Sequence, residues 1–268
     1  MNRHAQIRIG CCGWHYADWR GTFYEDKTKP DEELAAYATV FDIVELDSTF
    51  YGTPPESTVL QWRERTPEPF LFAAKLPRLI THEARLVDAV EELDRFCDVM
   101  RLLGPKLAAM LIQLPPSLSI RAIADLDRFL DDLPTDIRFA LEVRHRSWLK
   151  DESFELLRNH RVAWVISDIK DIPILPAVTA DFAYIRWLGS RDDVSEFHSE
   201  TIDRTEDLMQ WRDRIRELRS QVSDIFGFFN NHYSGHAPAT GTAFKEMLGL
   251  PVVRRHRWRQ ASLLDDLG

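Results

Sequence analysis

The sequence predicts an α/β protein in which eight parallel strands close into a (β/α)8 barrel, as one domain over residues 1–268. Three observations favour this fold. Eight short apolar runs recur at a mean spacing of about 31 residues, the size of one strand-plus-helix unit. Amphipathic segments lie between most of them, and no glycine-rich phosphate loop follows the first run. An open doubly wound sheet is the alternative, and it would normally carry such a loop.

The eight apolar runs are rich in β-branched and aromatic residues, and Gly or Pro follows several of them closely, as is typical of buried strands. They cover residues 7–12, 43–49, 71–77, 109–115, 139–144, 162–168, 182–188 and 225–231. Because strands alternate with helices along nearly the whole chain, the sheet should be parallel and should close on itself.

Amphipathic helices are predicted over 31–40, 84–103, 120–133 and 203–220, where apolar residues recur at helical spacing. The second of these has Leu86 at the start of its apolar stripe and should end at Gly104-Pro105. The segment between strands six and seven, residues 168–180, is short and contains two prolines. That unit of the barrel is therefore predicted to be degenerate, without a full helix.

Composition narrows the range of partners and compartments. The chain has 34 Lys and Arg against 43 Asp and Glu, a net charge of −9, which argues against nucleic acid and anionic membranes as partners. A local basic pocket for a small anion remains compatible with this charge. With three cysteines, no apolar leader and no run long enough to span a bilayer, a cytoplasmic location is expected. A short basic tail, about 252–268, includes RRHRWR at 254–259.

Polar residues gather where the predicted strands end, which is where barrels of this kind build their active sites. Val44 and Leu46 alternate with Glu45 and Asp47, so the two carboxylates should face the barrel axis if the apolar pair faces the helices. The same alternation predicts inward side chains at Lys75, Gln113, Glu142, Arg144, Asp168 and Arg186. A structural network of ion pairs is the alternative to a ligand site, but aliphatic residues would fill the barrel more simply.

Several motifs resemble those of the YecE-like family, catalogued as domain of unknown function 72. They are GCCGWHYADWRGTFY, VELDSTFYGTP, KLPRLITHEARL, LIQLPPSL, LEVRHRSW, ISD, YIRWLG and FFNNHYSGHA, and they cover about residues 7–248. The resemblance implies a TIM-type barrel and brings no established reaction. Tyr51, His82, His145, Trp148, Asn230 and Asn231 already belong to the candidate site because they follow strand ends, and the resemblance adds Trp14 and Tyr16. This chain departs from the family pattern at Cys11-Cys12, at Asp47 and at Trp187-Leu188.

The first functional hypothesis is an enzyme acting on a small anionic or sugar-like metabolite by acid/base chemistry, as a hydrolase, lyase or isomerase. Arg144, Arg186 and Lys75 would bind the anion, and Glu45 and Glu142 are the preferred acid/base pair. The full catalytic set comprises Glu45, Glu142, Asp47, Asp168 and His82. The binding set comprises Lys75, Arg144, Arg186, Gln113, Tyr16, Trp14, Tyr51, His145, Trp148, Asn230 and Asn231.

Two alternatives stay open. No cofactor is predicted, but carboxylates and His82 could bind a divalent metal in a metal-dependent hydrolase or isomerase. Three cations of the same parity would oppose such an ion, and His232 and His236 lie in a Gly- and Pro-containing loop that does not suit a metal pair. A non-catalytic ligand sensor or nucleic-acid binder is the other alternative.

Cys11 and Cys12 are more readily explained as inert buried thiols. The sequence does not indicate the oligomeric state.

The ligand-site and ion-pair hypotheses differ in what they expect of Glu142→Gln. A catalytic Glu142 predicts loss of turnover with a thermal midpoint that is nearly unchanged or higher. A large loss of folding stability would instead indicate a structural network.

Overall fold

The computed structural model describes residues 5–253, and the sequence RRHRWR at 254–259 lies outside them. Eight strands form one closed parallel barrel in sequence order, with β1 pairing to β8 to complete the ring. The strands are β1 Gln6–Cys12, β2 Ile43–Leu46, β3 Leu71–Lys75, β4 Leu107–Gln113, β5 Phe139–Glu142, β6 Ala163–Ile169, β7 Phe182–Gly189 and β8 Asp224–Phe229. The predicted barrel and the positions of its strands are confirmed.

Within residues 5–253, seven α-helices accompany these strands. They are α1 Glu33–Tyr37, α2 Glu56–Glu64, α3 Val90–Arg101, α4 Ile123–Asp131, α5 Asp151–His160, α6 Thr205–Leu218 and α7 Ala237–Met247. Residues 170–181, between β6 and β7, contain no helix, as the short proline-containing segment predicts. Among residues 5–253, no helix has both the length and the apolar character needed to cross a lipid bilayer.

The second predicted helix begins later than its apolar pattern suggests. Arg85, Leu86 and Asp88 have φ values of 53°, 72° and 50°, in the left-handed region that a right-handed helix cannot contain. Helix α3 therefore starts at Val90 rather than at residue 84. Leu86 is still buried, so its place in the hydrophobic core was predicted correctly although its helix was not.

Two apolar layers result from the alternation of side chains along the strands. One cluster fills the barrel and includes Ala73, Leu111, Val165, Tyr184 and Phe228. A larger cluster packs between the strands and the surrounding helices. The interior cluster supports a group of charged side chains at the carboxyl ends of the strands.

Candidate functional site

Arg186 lies at the centre of the charged group inside the barrel. Its Nε and Nη2 donate to Glu45 Oε1 at 3.1 and 2.6 Å, and its Nη1 donates to Glu142 Oε2 at 2.5 Å. Nη2 also lies 3.3 Å from Asp47 Oδ1. The Arg186 side chain is only 2% exposed, so these charge-assisted bonds form almost without solvent. Groups from β2, β5 and β7 therefore converge, as the strand alternation predicts.

Two glutamates lie beneath this arginine and are fully buried. Glu142 also accepts a bond from Arg144 Nε, and Glu45 accepts one from Tyr184 Oη at 2.6 Å. Burial opposes the charge of Glu142, but Arg144 and Arg186 outweigh it and hold its pKa at about 2. Burial raises the pKa of Glu45, and Arg186 only partly offsets this effect. The two carboxyl groups thus differ in proton affinity for identifiable reasons.

A cavity of about 480 Å³ opens above this cluster at the carboxyl ends of the strands. Its wall includes five cationic side chains, from Lys75, Arg144, Lys170, Arg186 and Arg191, and two carboxylates, from Asp47 and Asp192. Cations outnumber carboxylates even when the two buried glutamates below are counted. The cavity is therefore suited to an anion although the whole chain is acidic.

A second cavity of about 330 Å³ adjoins the first and shares part of its wall with it. The residues common to both are Asp47, Phe50, Lys75, Arg191, Asn230 and His232. Tyr16, Tyr51 and Asn231, which were predicted to bind substrate, line this smaller space, while Gln113 lines the larger one. The two cavities therefore form one continuous cleft.

Lys75 reaches both cavities from the end of β3. Its Nζ lies 4.1 Å from the centre of the Phe50 ring, and no hydrogen bond or ion pair of this amine is found within residues 5–253. Burial lowers the pKa of Lys75, and the nearby Asp47 partly opposes that effect. An anion in the cavity would give this ammonium the partner that it lacks.

His82 is carried into the larger cavity by a π-helical turn, Leu79–Glu83. Its Nδ1 lies 2.8 Å from Thr81 Oγ1, and its ring meets Phe50 edge-on at 4.9 Å between centroids. Burial lowers the pKa of His82, and the charge of Lys75 lowers it further. Both effects favour the neutral imidazole, which is the form able to accept a proton.

The prediction that Asp168 faces the barrel axis is wrong. Ala163 and Val165 belong to the interior cluster, so the alternation of β6 turns Ser167 inward and Asp168 outward. The Asp168 carboxylate instead accepts a bond from Trp211 Nε1 of α6 at 2.8 Å. Asp168 therefore links β6 to helix α6, and it lies in the wall of neither cavity.

Three residues predicted to bind substrate lie outside both cavities. Trp148 is fully buried and donates from Nε1 to Leu118 O at 2.7 Å, while His145 pairs with Ser147. Trp14 is partly buried and packs edge-on against Trp62, with centroids 5.8 Å apart. These motif positions support the loops after the strands, and neither cavity has them in its wall, so the binding role predicted for them stays a prediction.

Glu45 and Glu142, the preferred acid/base pair, also lie outside the cavity walls. Arg186 and Arg144, which contact these glutamates, line the larger cavity instead. Asp47 is the predicted carboxylate that reaches both cavities, and its side chain is 32% exposed.

Sequence reasoning missed several wall residues. Phe50 follows the predicted catalytic residues of β2 directly, and Lys170, Arg191 and Phe197 lie in segments that follow β6 and β7. Their position after strand ends was an available signal, because such loops build barrel active sites. His232 also lines both cavities, although its Nδ1 contacts Val194 O at 3.1 Å.

A metal ion fits this site poorly. Within the described residues, Cys12, Glu45 and Asp47 offer ligand atoms within 4.8 Å of one another. However, Arg186 Nη2 already contacts Glu45 and Asp47, and it lies 3.9 Å from Cys12 Sγ. Burial also raises the pKa of Cys12 well above its ordinary value, with the charge of Glu45 adding to the effect. A guanidinium therefore takes the place that a cation would need.

The fold and cleft together define a class of protein: a (β/α)8 barrel with a charged cleft at the carboxyl ends of its strands. A family model described as "Protein of unknown function DUF72" matches residues 8–261. The chain belongs to this family.

Relatives and solved structures agree with this membership. The chain is 29% identical to UPF0759 protein YunF of Bacillus subtilis (strain 168), covering 91% of this chain and 95% of that protein. It is 32% identical to UPF0759 protein YecE of Escherichia coli O157:H7, over 59% of this chain and 68% of that protein. A DUF72 family protein of Thermotoga maritima MSB8 superposes with a TM-score of 0.81 at 30% identity, covering 91% of this chain and 99% of that one. A DUF72 family protein of Enterococcus faecalis V583, at 22% identity, shares the fold with a TM-score of 0.76 and covers 93% of this chain and 100% of that one.

Proposed function

We propose that this protein is an enzyme that acts on a small anionic metabolite by proton transfer. The observation that carries the proposal is the meeting of Lys75, Arg144 and Asp47 in the wall of one cavity of about 480 Å³. Cationic groups beside an available carboxylate are what binding an anion and moving a proton on it require.

Lys75 and Arg144 are the anchors that the contacts favour. Arg144 uses Nε to hold Glu142, and no bond of its two terminal nitrogens is found in the described part of the chain, so this planar end can pair with a carboxylate or phosphate. Arg186 differs, because Nε, Nη1 and Nη2 are all engaged with carboxylates. Arg186 therefore organises the cavity floor rather than binding the substrate directly.

Asp47 and His82 are the proton-transfer candidates, since both line the cavity. Arg186 holds Asp47 from below at 3.3 Å, and the neutral His82 offers a second group that can accept a proton near neutral pH. Glu45 and Glu142 act through Arg186, as positioning residues. The reaction class remains that of a hydrolase, lyase or isomerase.

The test is a thermal-shift screen of small carboxylates, phosphate esters and divalent ions. A ligand that binds only the folded state raises the thermal midpoint by mass action. We expect an anionic hit whose shift disappears in Arg144→Ala and persists in Arg146→Ala, a control at an exposed position two residues away. Asp47→Asn should then abolish turnover of that hit while preserving its binding.

Other outcomes would overturn the proposal. A shift caused by divalent ions and lost in Asp47→Asn would favour a metal-dependent enzyme. Binding that Asp47→Asn leaves intact, with no turnover by the unaltered protein, would favour a ligand sensor.

The proposal keeps a cytoplasmic location, because Cys11, Cys12 and Cys97 are free and buried, as suits a reducing compartment.

A further inference from the structure

The smaller cavity differs in character from the larger one. Four aromatic side chains line it, from Tyr16, Phe50, Tyr51 and Phe197, whereas only Phe50 of these also lines the larger cavity, whose wall has seven charged side chains. Tyr51 is 86% exposed, so its ring is accessible to a ligand in this cavity. Aromatic faces of this kind pack against a flat ring.

Two adjacent asparagines give the smaller cavity its hydrogen-bonding character. Asn231 is 2% exposed, and its Oδ1 accepts bonds from Trp19 Nε1 and Ala237 N, both at 3.1 Å. An indole N–H and a backbone N–H can only donate, so these contacts fix which amide atom is oxygen. Nδ2 of Asn231 is then a buried donor without a partner, which is costly unless a ligand supplies one.

Asn230 repeats this arrangement in the wall of both cavities. Its Oδ1 accepts a bond from His232 N at 3.1 Å, and no bond of its Nδ2 is found among residues 5–253. Both asparagines thus use their oxygens within the protein, while their amide N–H groups have no partner in the described part of the chain. A ligand that carries hydrogen-bond acceptors would complement these two amide donors.

We propose that the smaller cavity binds a planar ring whose carbonyl or ring-nitrogen acceptors pair with Asn230 and Asn231. The substrate class is then an anionic heterocycle, with its ring between the aromatic side chains and its anionic group against Lys75. The second half of this statement rests on the proposed function, because Lys75 lines both cavities and is the anchor that they share.

Four small probes separate the ring from the anion. Orotate carries a carboxylate and ring carbonyls, benzoate carries a carboxylate on a ring without acceptors, uracil carries the carbonyls alone, and inorganic phosphate is an anion alone. By calorimetric titration we expect orotate to bind at least tenfold more tightly than benzoate. Glucose 6-phosphate serves as the sugar arm and should bind no more tightly than inorganic phosphate.

The decisive variant is Asn230→Ser, because a serine hydroxyl can still accept the bond from His232 N while the amide donor is lost. We expect the preference for orotate over benzoate to fall to less than threefold. Asn231→Asp keeps the oxygen that Trp19 and Ala237 need and replaces the free donor by an acceptor. Both probes carry one carboxylate, so repulsion by the new charge cancels in their ratio. Asn159→Asp, on the exposed side of α5, is the matched control and should leave that ratio unchanged.

The outcomes distinguish this inference from the proposed function. Orotate bound no better than benzoate, or a preference that survives Asn230→Ser, would overturn the ring site while leaving the anion site intact. Preferred binding of glucose 6-phosphate would replace the heterocycle by a sugar. If none of the anions binds, the proposed function fails, whereas uracil binding weakened by Asn230→Ser, measured by NMR titration, would still support the ring site. Asn230→Ser decides the matter even if Asn231→Asp does not fold.

Discussion

Arg186 shows how one side chain can determine the roles of its neighbours. By holding Glu45 and Glu142 below and Asp47 beside the opening, it keeps two carboxylates away from the cavity and leaves one in its wall. Removing one member of such a buried group leaves the charges of the others unpaired. The resulting loss of stability exceeds the stability that the intact group provides over apolar residues at the same positions.

At the residue scale, we predict that Glu142→Gln destabilises the fold. A neutral amide would leave Arg144 and Arg186 with less compensation for their charge, and breaking a buried pair typically costs about 3–5 kcal/mol. Urea unfolding followed by circular dichroism measures this loss. Glu155→Gln, at an exposed position of α5, is the matched control.

This expectation replaces the one drawn from sequence alone, which had Glu142→Gln leaving the thermal midpoint unchanged or higher. The reason is that Glu142 is fully buried with two arginine partners rather than facing a substrate. An unchanged unfolding free energy would show that these ion pairs contribute little.

At the scale of elements, two glycines allow a local test of the cavity wall. Gly189, at the end of β7, has a φ of 63°, and a Cβ there would lie 2.2 Å from His232 O. Gly249 has a similar φ of 69° with nothing within 4 Å of the added atom.

We therefore predict that Gly189→Ala costs clearly more stability than Gly249→Ala. Both variants bear the conformational cost of a positive φ, about 1 kcal/mol, but only the first must also displace backbone at His232. Thermal unfolding of the two variants gives the comparison. Equal losses would mean that the wall accommodates the methyl group.

A histidine, His236, caps the start of helix α7 and links the stability of the protein to pH. His236 Nδ1 accepts the N–H of Ala239 at 3.2 Å, which requires an unprotonated nitrogen. Burial lowers the pKa of His236 to about 4, and the charge of His198 contributes to the effect. In an unfolded chain a histidine titrates near 6.5.

Between pH 6.5 and about 4, the unfolded chain binds a proton at His236 that the folded chain does not. The contribution of His236 to the free energy of unfolding is therefore fully present above pH 6.5. It decreases by up to about 3 kcal/mol as the pH is lowered from 6.5 to about 4. We predict that His236→Asn, which keeps a capping oxygen, flattens this part of the stability–pH curve. Urea unfolding at several pH values checks this. The control His160→Asn, on α5, should retain the slope, and an unaltered slope in His236→Asn would contradict the assignment.

At the scale of the whole molecule, the site depends on closure of the barrel. Glu45 and Arg186 are 141 positions apart in the chain, and Glu142 and Arg186 are 44 apart. The larger cavity takes wall residues from the ends of strands around the ring and from the loops that follow them. A partly open barrel would not hold these groups together.

We therefore predict that anion binding and far-UV circular dichroism are lost at the same urea concentration. The anion is the one identified by the thermal-shift screen. The circular dichroism curve is recorded at a saturating concentration of this anion, because a bound ligand raises the free energy of unfolding. Tryptophan fluorescence, from eight Trp residues, provides a third probe of the same transition. Binding that disappears well before the circular dichroism signal would show that the site opens locally.

Much of the fold and part of the site could be predicted from the chain alone. The alternation of side chains along the strands correctly predicted that four residues face inward, because side-chain direction in a strand is a local property. These residues are Asp47, Lys75, Gln113 and Arg186. The alternation failed at Asp168, because the hydrophobic run of β6 is buried on both faces and does not mark which residues face the axis. Trp148 was misplaced because a polar-tipped aromatic suits a loop core as well as a binding site.

The sequence by itself determined the number and order of the strands, the missing helix before β7 and the gathering of charge at the strand ends, since these follow from local periodicity and short-range backbone preferences. Only the tertiary structure decided that Glu45 and Glu142 are held by Arg186, that Asp47 remains in the cavity wall, and that the amide N–H groups of Asn230 and Asn231 have no partner among residues 5–253. The physical reason is that hydrogen bonds and ion pairs act over a few ångströms, and ring closure alone brings residues this distant in the chain within that range.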